Sequence, residues 1–194
     1  MRAALPALAC LTMAASLAAC SGSRTASIDS ASPRPAHTPP GAVAPASAAE
    51  RASLLDRMKT LAGTWESTGE DGTSHTSSII AVTSNGSAVR EVMLPGTAHE
   101  MTNMYTMDGP SLVLTHYCAM GNQPRLRAVA GGAPENQIHL AFDGVSNLSA
   151  PDQMYMGQLT ITFIDADHIR QEWSSFRAGV PAGHAATFEL TRRR

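Results

Sequence analysis

From Gly63 onward, apolar and polar residues alternate with a period of two, which is the spacing of a β-strand with one buried face. Turn-forming residues interrupt this alternation about every ten residues, as in antiparallel strands joined by short connections. Examples are Ser84-Asn85-Gly86, Asp108-Gly109-Pro110 and a last cluster from Gly179 to Gly183. The pattern predicts about ten strands. We place them near residues 63–68, 74–83, 87–94, 99–107, 111–119, 124–130, 136–143, 156–164, 168–177 and 185–191.

A helical pattern precedes the first strand. Leu54, Leu55, Met58 and Leu61 fall on one face of a helix, which predicts a short helix over about residues 48–61. Strands joined in chain order by tight turns can close on themselves, and closure removes exposed strand edges. The predicted fold class is therefore all-β: an antiparallel up-and-down β-barrel of about ten strands with a short N-terminal helix. A sandwich of two sheets is the alternative that the pattern leaves open.

The first residues are typical of an export signal. Arg2 supplies a positive charge, and the stretch from Ala3 to Ala19 is apolar and uncharged, so we assign residues 1–19 to a signal peptide. The end of this stretch, Leu17-Ala18-Ala19-Cys20, resembles the lipobox of bacterial lipoproteins. That resemblance implies cleavage before Cys20 and attachment of lipid, including palmitate, to its sulfur. Ser21 in place of aspartate implies, by the same resemblance, an outer-membrane anchor facing the periplasm. The alternative is an ordinary secretory peptide.

Residues 20–49 consist largely of Ala, Ser, Pro and Gly, a composition that cannot bury enough apolar surface to fold. We interpret this segment as a disordered tether between the lipid on Cys20 and a folded domain over residues 50–194. Removal of Cys10 with the signal and lipidation of Cys20 leave Cys118 alone in that domain, so no disulfide within the domain is expected.

Charge narrows the range of partners. The chain has 14 Lys and Arg against 16 Asp and Glu, a formal net charge of -2. Because no basic surplus is present to neutralise phosphates, nucleic acid is not expected as a partner. The membrane contact is expected through Cys20 alone, and nothing in the sequence indicates an oligomeric state.

Two further motifs resemble known barrels. Gly63-Thr64-Trp65, just after the predicted helix, resembles the Gly-x-Trp signature of lipocalins and related calycin barrels. That resemblance implies that the tryptophan closes the barrel base beneath a basic residue from the last strand, Arg192 or Arg193. The string Leu114-Thr-His-Tyr-Cys-Ala-Met-Gly-Asn-Gln-Pro-Arg125 is similar to one shared by a family of uncharacterised bacterial barrel proteins. This second resemblance implies a fold but no activity.

The predicted hairpin around Asp108-Gly109-Pro110 holds the candidate ligand-binding site. A two-residue turn places Asn103 opposite His116, whereas a three-residue turn places Thr102 there. The first register groups a mostly apolar face with a few polar side chains, which is how small-molecule cavities are lined. We therefore predict a cavity for a small, partly apolar ligand. Its candidate ligand-binding residues are His116, Asn103, Tyr105, Met101, Cys118 and Arg125.

Other interpretations of these residues stay open. His116 hydrogen-bonded to Asn103 or Tyr105 is also a common way to satisfy a buried polar group. His116, Cys118 and His99 suggest a zinc or copper site, although we assign no metal ligand and no cofactor.

Ten-stranded barrels that resemble nitrobindin hold haem through a histidine, so haem is a further alternative, with His168 or His184 in the last two strands as its ligand, although no motif here identifies it. Glu100 and Glu172 offer carboxylates, but no catalytic motif accompanies them, so binding is favoured over catalysis. An interaction module with a filled barrel is the remaining alternative.

Overall fold

A computed structural model describes residues 43–194. The predicted signal peptide, Cys20 and most of the predicted tether lie outside the described residues. The described chain forms one closed barrel of ten antiparallel strands, each strand pairing with its neighbours in sequence, and the first strand pairs with the last. The fold class predicted from the alternation of polar and apolar residues is therefore confirmed, and the sandwich alternative is wrong.

The strands follow the predicted positions closely. They are β1 (Gly63–Thr68), β2 (Ser74–Thr83), β3 (Ala88–Met93), β4 (Met101–Asp108), β5 (Ser111–Tyr117), β6 (Gln123–Val129), β7 (Gln137–Ser146), β8 (Tyr155–Phe163), β9 (His168–Arg177) and β10 (Val180–Arg192). Inward-facing positions alternate with outward-facing ones along each strand, as the buried positions of β9 show most regularly.

The predicted helix is present but bent. It consists of α1 (Ala48–Ser53) and α2 (Leu55–Lys59), which meet at Leu54, where the backbone leaves helical geometry with φ -117° and ψ -90°. Ser47 and Glu50 form a reciprocal capping box at its start. The bend allows Leu54 and Leu55 both to be buried. Within residues 43–194, neither helix has the length and apolar character needed to cross a membrane.

The base of the barrel is closed by Trp65. Its side chain is fully buried, and its indole N–H donates a hydrogen bond to the Leu61 carbonyl at 2.8 Å. The Arg192 guanidinium lies 4.3 Å from the ring centroid and donates to the carbonyls of Ala62 and Thr60. These contacts tie the helix, the first strand and the last strand together, with Arg192 in the position that the lipocalin resemblance implies.

The last turn differs from the prediction. Arg177 pairs with Val180, so the turn between β9 and β10 is the two-residue segment Ala178-Gly179, with φ of 48° and 78°. Two positive φ values match the primed turns that suit the twist of paired strands. Gly183, which we assigned to the turn, instead lies inside β10 at an irregularity between Pro181 and Ala185. Strand β10 is therefore longer than predicted, because this glycine serves a bulge.

The two ends of the barrel differ in chemistry. The helix covers the end at which β1 begins. Because successive strands run in opposite directions, the connections β1–β2, β3–β4, β5–β6, β7–β8 and β9–β10 lie at the other end. The inward positions near that open end include buried polar side chains. They are Ser78, Glu91, Asn103, His116, Gln171 and Ser175.

Candidate functional site

The β4–β5 hairpin brings the predicted polar residues together. Asp108 pairs with Ser111 around a two-residue turn, and this register sets Asn103 directly opposite His116. Gly109 in that turn has φ 56°, a conformation that glycine adopts without strain. Of the two registers that the sequence left open, the structure has the first. Asn103 and His116 both face the barrel interior, with at most 2% of either side chain exposed.

A buried carboxylate lies at the centre of the polar cluster. Glu91 on β3 is fully buried. One carboxylate oxygen accepts hydrogen bonds from the Ser78 hydroxyl and from the Gln171 amide at 2.8 Å. The other oxygen accepts from the Asn103 amide at 2.9 Å and from the Tyr105 hydroxyl at 2.8 Å. Four strands, β2, β3, β4 and β9, therefore meet at one side chain.

These four donors match an ionised carboxylate, which accepts only and has room for about four hydrogen bonds. A protonated Glu91 would have to donate to the hydroxyl of Ser78 or Tyr105, because the amide nitrogens of Gln171 and Asn103 can only donate. Among residues 43–194, no Lys, Arg or His forms a salt bridge with Glu91 or donates to it. Burial, followed by the negative charge of Glu91, raises the pKa of Tyr105 well above its usual value, so its hydroxyl stays a donor.

The polar cluster determines which nitrogen of the His116 ring carries the hydrogen. Asn103 turns its amide nitrogen to Glu91, so its carbonyl oxygen is left for His116 Nδ1 at 2.7 Å. Nδ1 therefore carries the hydrogen and donates it. Burial lowers the pKa of His116 to about 4, which keeps the ring neutral near pH 7. A neutral ring protonated at Nδ1 presents a bare lone pair at Nε2, and this buried atom has no hydrogen-bond partner in the described part of the chain.

A cavity of about 270 Å³ opens beside His116 at the open end of the barrel. His116 is one of the residues that line it, with Nδ1 turned toward Asn103. Trp173 is a second wall residue, with its ring centroid 5.0 Å from that of His116, and its buried indole N–H has no partner among residues 43–194. Much of the remaining wall is methionine and histidine: Met93, Met101, Met120, Met154, Met156, His99 and His184.

The six predicted ligand-binding residues fall into three groups. Met101, His116 and Cys118 line the cavity. Asn103 and Tyr105 lie behind it, where they bind Glu91, and Asn103 also orients His116. Arg125 lies on the outer face, where it forms a salt bridge with Asp143 at 2.7 Å and does not line the cavity.

Sequence reasoning missed Glu91, Gln171 and Trp173. A local signal existed for the first, because Glu91 lies between Val89 and Met93 on the inward face of β3. A charged residue flanked by apolar ones at period two indicates a buried charge. Gln171 and Trp173 likewise follow Ile169 at inward positions of β9.

A larger cleft, about 720 Å³, lies between α1–α2 and the β6–β7 connection. Its one arginine, Arg57, already donates to the Glu135 carbonyl and lies 3.8 Å from the Phe163 ring centroid. None of the unpartnered buried side-chain atoms of the described residues lines this cleft. Size alone therefore does not identify the site, and the smaller cavity beside His116 carries the more specific chemistry.

The metal and haem alternatives can be compared with the geometry. Within residues 43–194, no three His, Cys, Asp or Glu side chains are grouped as a metal site. His99, His116 and Cys118 share the cavity wall without forming such a group. Of the two histidines considered for haem, His184 lines the cavity, whereas His168 is exposed and hydrogen-bonded to Asp165 at 2.9 Å.

Comparison with known sequences assigns no relative. No protein-family model matches the chain. No curated protein matches it either.

Proposed function

We propose that this protein is an envelope lipoprotein, anchored through lipid on Cys20, whose barrel binds one small, partly apolar ligand in the cavity beside His116. The observation that carries the proposal is the bare Nε2 atom of His116, a residue in the wall of a mostly apolar cavity: this buried acceptor has no partner among the residues that the structure describes. We further propose that the chain belongs to the uncharacterised barrel family whose Leu114–Arg125 string it resembles, with outer-membrane attachment facing the periplasm.

Energetics support ligand binding at Nε2. An unsatisfied buried acceptor costs about 1–3 kcal/mol, and a ligand donor recovers that cost on binding. Asn103, itself held by Glu91, already fixes the ring orientation, so little side-chain entropy is lost when the ligand binds.

Binding is favoured over catalysis in this proposal. Burial places the pKa of His116 at about 4, too low for an effective general base near pH 7. None of the hydrogen bonds to His116 or Glu91 within residues 43–194 comes from a group placed as an activated nucleophile.

A soft metal ion is the second candidate occupant. Nine of the thirteen residues lining the cavity carry sulfur or imidazole. Thioether ligands select monovalent copper over zinc. A metal-bound histidine typically donates its other ring N–H to a carbonyl or carboxylate, as His116 does to Asn103.

Native mass spectrometry combined with metal analysis tests both occupants. The full chain, made in its native host and purified without added ligands, is expected to retain a bound mass or metal. His116→Phe keeps a ring but removes both nitrogens, and it is expected to lose that occupant. The matched control is His139→Phe, because His139 lies on β7 between the inward-facing Ile138 and Leu140 and bonds Thr160.

The control variant is expected to retain the occupant. An empty wild-type protein, or an occupant that His116→Phe retains while remaining folded, would contradict the proposal.

A further inference from the structure

We propose that the ligand carries a neutral hydroxyl group, as in a small phenol or alcohol, which donates to His116 Nε2 and accepts from the Trp173 indole N–H. This inference rests on the proposed function, because it concerns the same cavity. It adds the chemical class of the ligand and a second recognising residue.

The acceptor is defined by a chain of hydrogen bonds. Glu91 only accepts, so Asn103 must present its amide N–H to it and its carbonyl to His116. Nδ1 of His116 is thereby the protonated nitrogen, and Nε2 can only accept. A ligand that meets this atom must donate a hydrogen.

The donor is the indole of Trp173. Its N–H can only donate, its side chain is 2% exposed, and its nitrogen has no partner within residues 43–194. The centroids of the Trp173 and His116 rings lie 5.0 Å apart, and both residues line the cavity. In this proposal one small group enters between the two rings and reaches both nitrogens, which the surrounding side chains bury in the unliganded structure.

A hydroxyl is the simplest group that both donates and accepts. An ether or ketone would satisfy Trp173 only and would leave His116 Nε2 without a donor. An ammonium group would satisfy His116 only. The hydroxyl satisfies both orphaned atoms through one heavy atom and without charge, whereas a carboxamide needs its nitrogen and its oxygen placed separately.

Charge and size limit the rest of the ligand. The carboxylate of Glu91 lies behind His116 without a cationic partner, and its field opposes a second negative charge such as a ligand carboxylate. The cavity, about 270 Å³, falls just below the range of about 300–1,000 Å³ for drug-sized ligands. Methionine side chains suit an irregular apolar body and make favourable contacts with aromatic rings.

Calorimetric titration of the full chain with four matched probes tests the proposed chemical class of the ligand. The probes are para-propylphenol, its methyl ether, propylbenzene and para-propylbenzoate. The phenol is expected to bind about 10-fold more tightly than the ether or the hydrocarbon, because each of those leaves a buried polar atom unsatisfied. The benzoate is expected to bind most weakly.

Two variants separate the two contacts. Trp173→Phe retains the aromatic packing but removes the N–H, and His116→Phe removes the acceptor. Each is expected to reduce the advantage of the phenol over propylbenzene to about 3-fold or less, whereas the exposed Tyr117→Phe is expected to leave it unchanged. Trp173→Phe keeps the test valid if His116→Phe does not fold.

Equal affinities for the phenol and its ether, or tightest binding of the benzoate, would overturn the inference. So would the absence of binding by every probe. If the protein from its host nevertheless holds a His116-dependent occupant, such as a copper ion, the hydroxyl inference fails while the proposed ligand-binding function stands.

Discussion

Replacing Glu91 with glutamine is expected to lower the free energy of unfolding by about 3 kcal/mol. The amide is nearly the same size as the carboxyl, so the packing of β3 changes little. One of its two ends is now a donor, however, so the Ser78 hydroxyl must rotate and the Gln171 amide must flip in order to accept from it. All four hydrogen bonds then join neutral groups, which are worth about 0.5–1.5 kcal/mol each instead of about 1.5–3 kcal/mol for a hydrogen bond to a charge.

Urea denaturation measures this effect, with the slope of the transition as a check that the unfolded state is unchanged. Glu172→Gln is the matched control, because Glu172 is exposed on β9. The control is expected to change stability by less than about 0.5 kcal/mol. A cost below about 1 kcal/mol for Glu91→Gln would show that the four donors do not need a charged acceptor, and it would contradict the ionised carboxylate at the centre of the cluster.

Acid is expected to destabilise the wild-type protein more than His116→Phe. The pKa of His116 is lowered by burial from 6.5 to about 4 in the folded protein. Between these two values the unfolded chain binds more protons than the folded one, so stability rises with pH over this window and falls as the pH is lowered. At about 1.4 kcal/mol per pH unit, the full loss is about 3 kcal/mol, with about 2 kcal/mol already lost at pH 5.

The quantity to measure is the difference in unfolding free energy between wild type and His116→Phe at several pH values from 7.5 to 5. Protonation of carboxyl groups common to both proteins cancels in this difference. It is expected to be constant above about pH 7 and to decrease steadily below it. A difference that stays flat down to pH 5 would show that the folded protein binds a proton at His116 as readily as the unfolded chain does.

Much of the fold was predictable because local signals define it. Turn residues placed the strands, and the inward–outward alternation put Asn103 and His116 on one face. The β9–β10 turn was misplaced because two glycines compete for it, and only the pairing of Arg177 with Val180 shows that Gly179 is in the turn and Gly183 in the strand.

Only part of the site could be predicted from the sequence, because closure of the barrel brings together residues from strands that are distant in the chain. Glu91 and Gln171 are separated by 80 residues in the chain, yet the amide of one bonds the carboxylate of the other. Alternation can indicate that Glu91 points inward, but it cannot say which strand lies across the interior. Trp173 reaches His116 in the same way, from β9 to β5. Arg125 shows that closeness in sequence is not enough. It follows the strand of His116, yet its side chain lies on the outer surface, where it forms a salt bridge with Asp143.

Long-range proton–nitrogen correlation NMR of the His116 ring reports which ring nitrogen carries the hydrogen and what the other nitrogen contacts. We expect a neutral ring at pH 7 protonated at Nδ1, with an Nε2 resonance typical of a bare lone pair that moves when the ligand enters the cavity. A ring protonated at Nε2, or an Nε2 signal that the occupied cavity leaves unchanged, would make His116 a structural residue only.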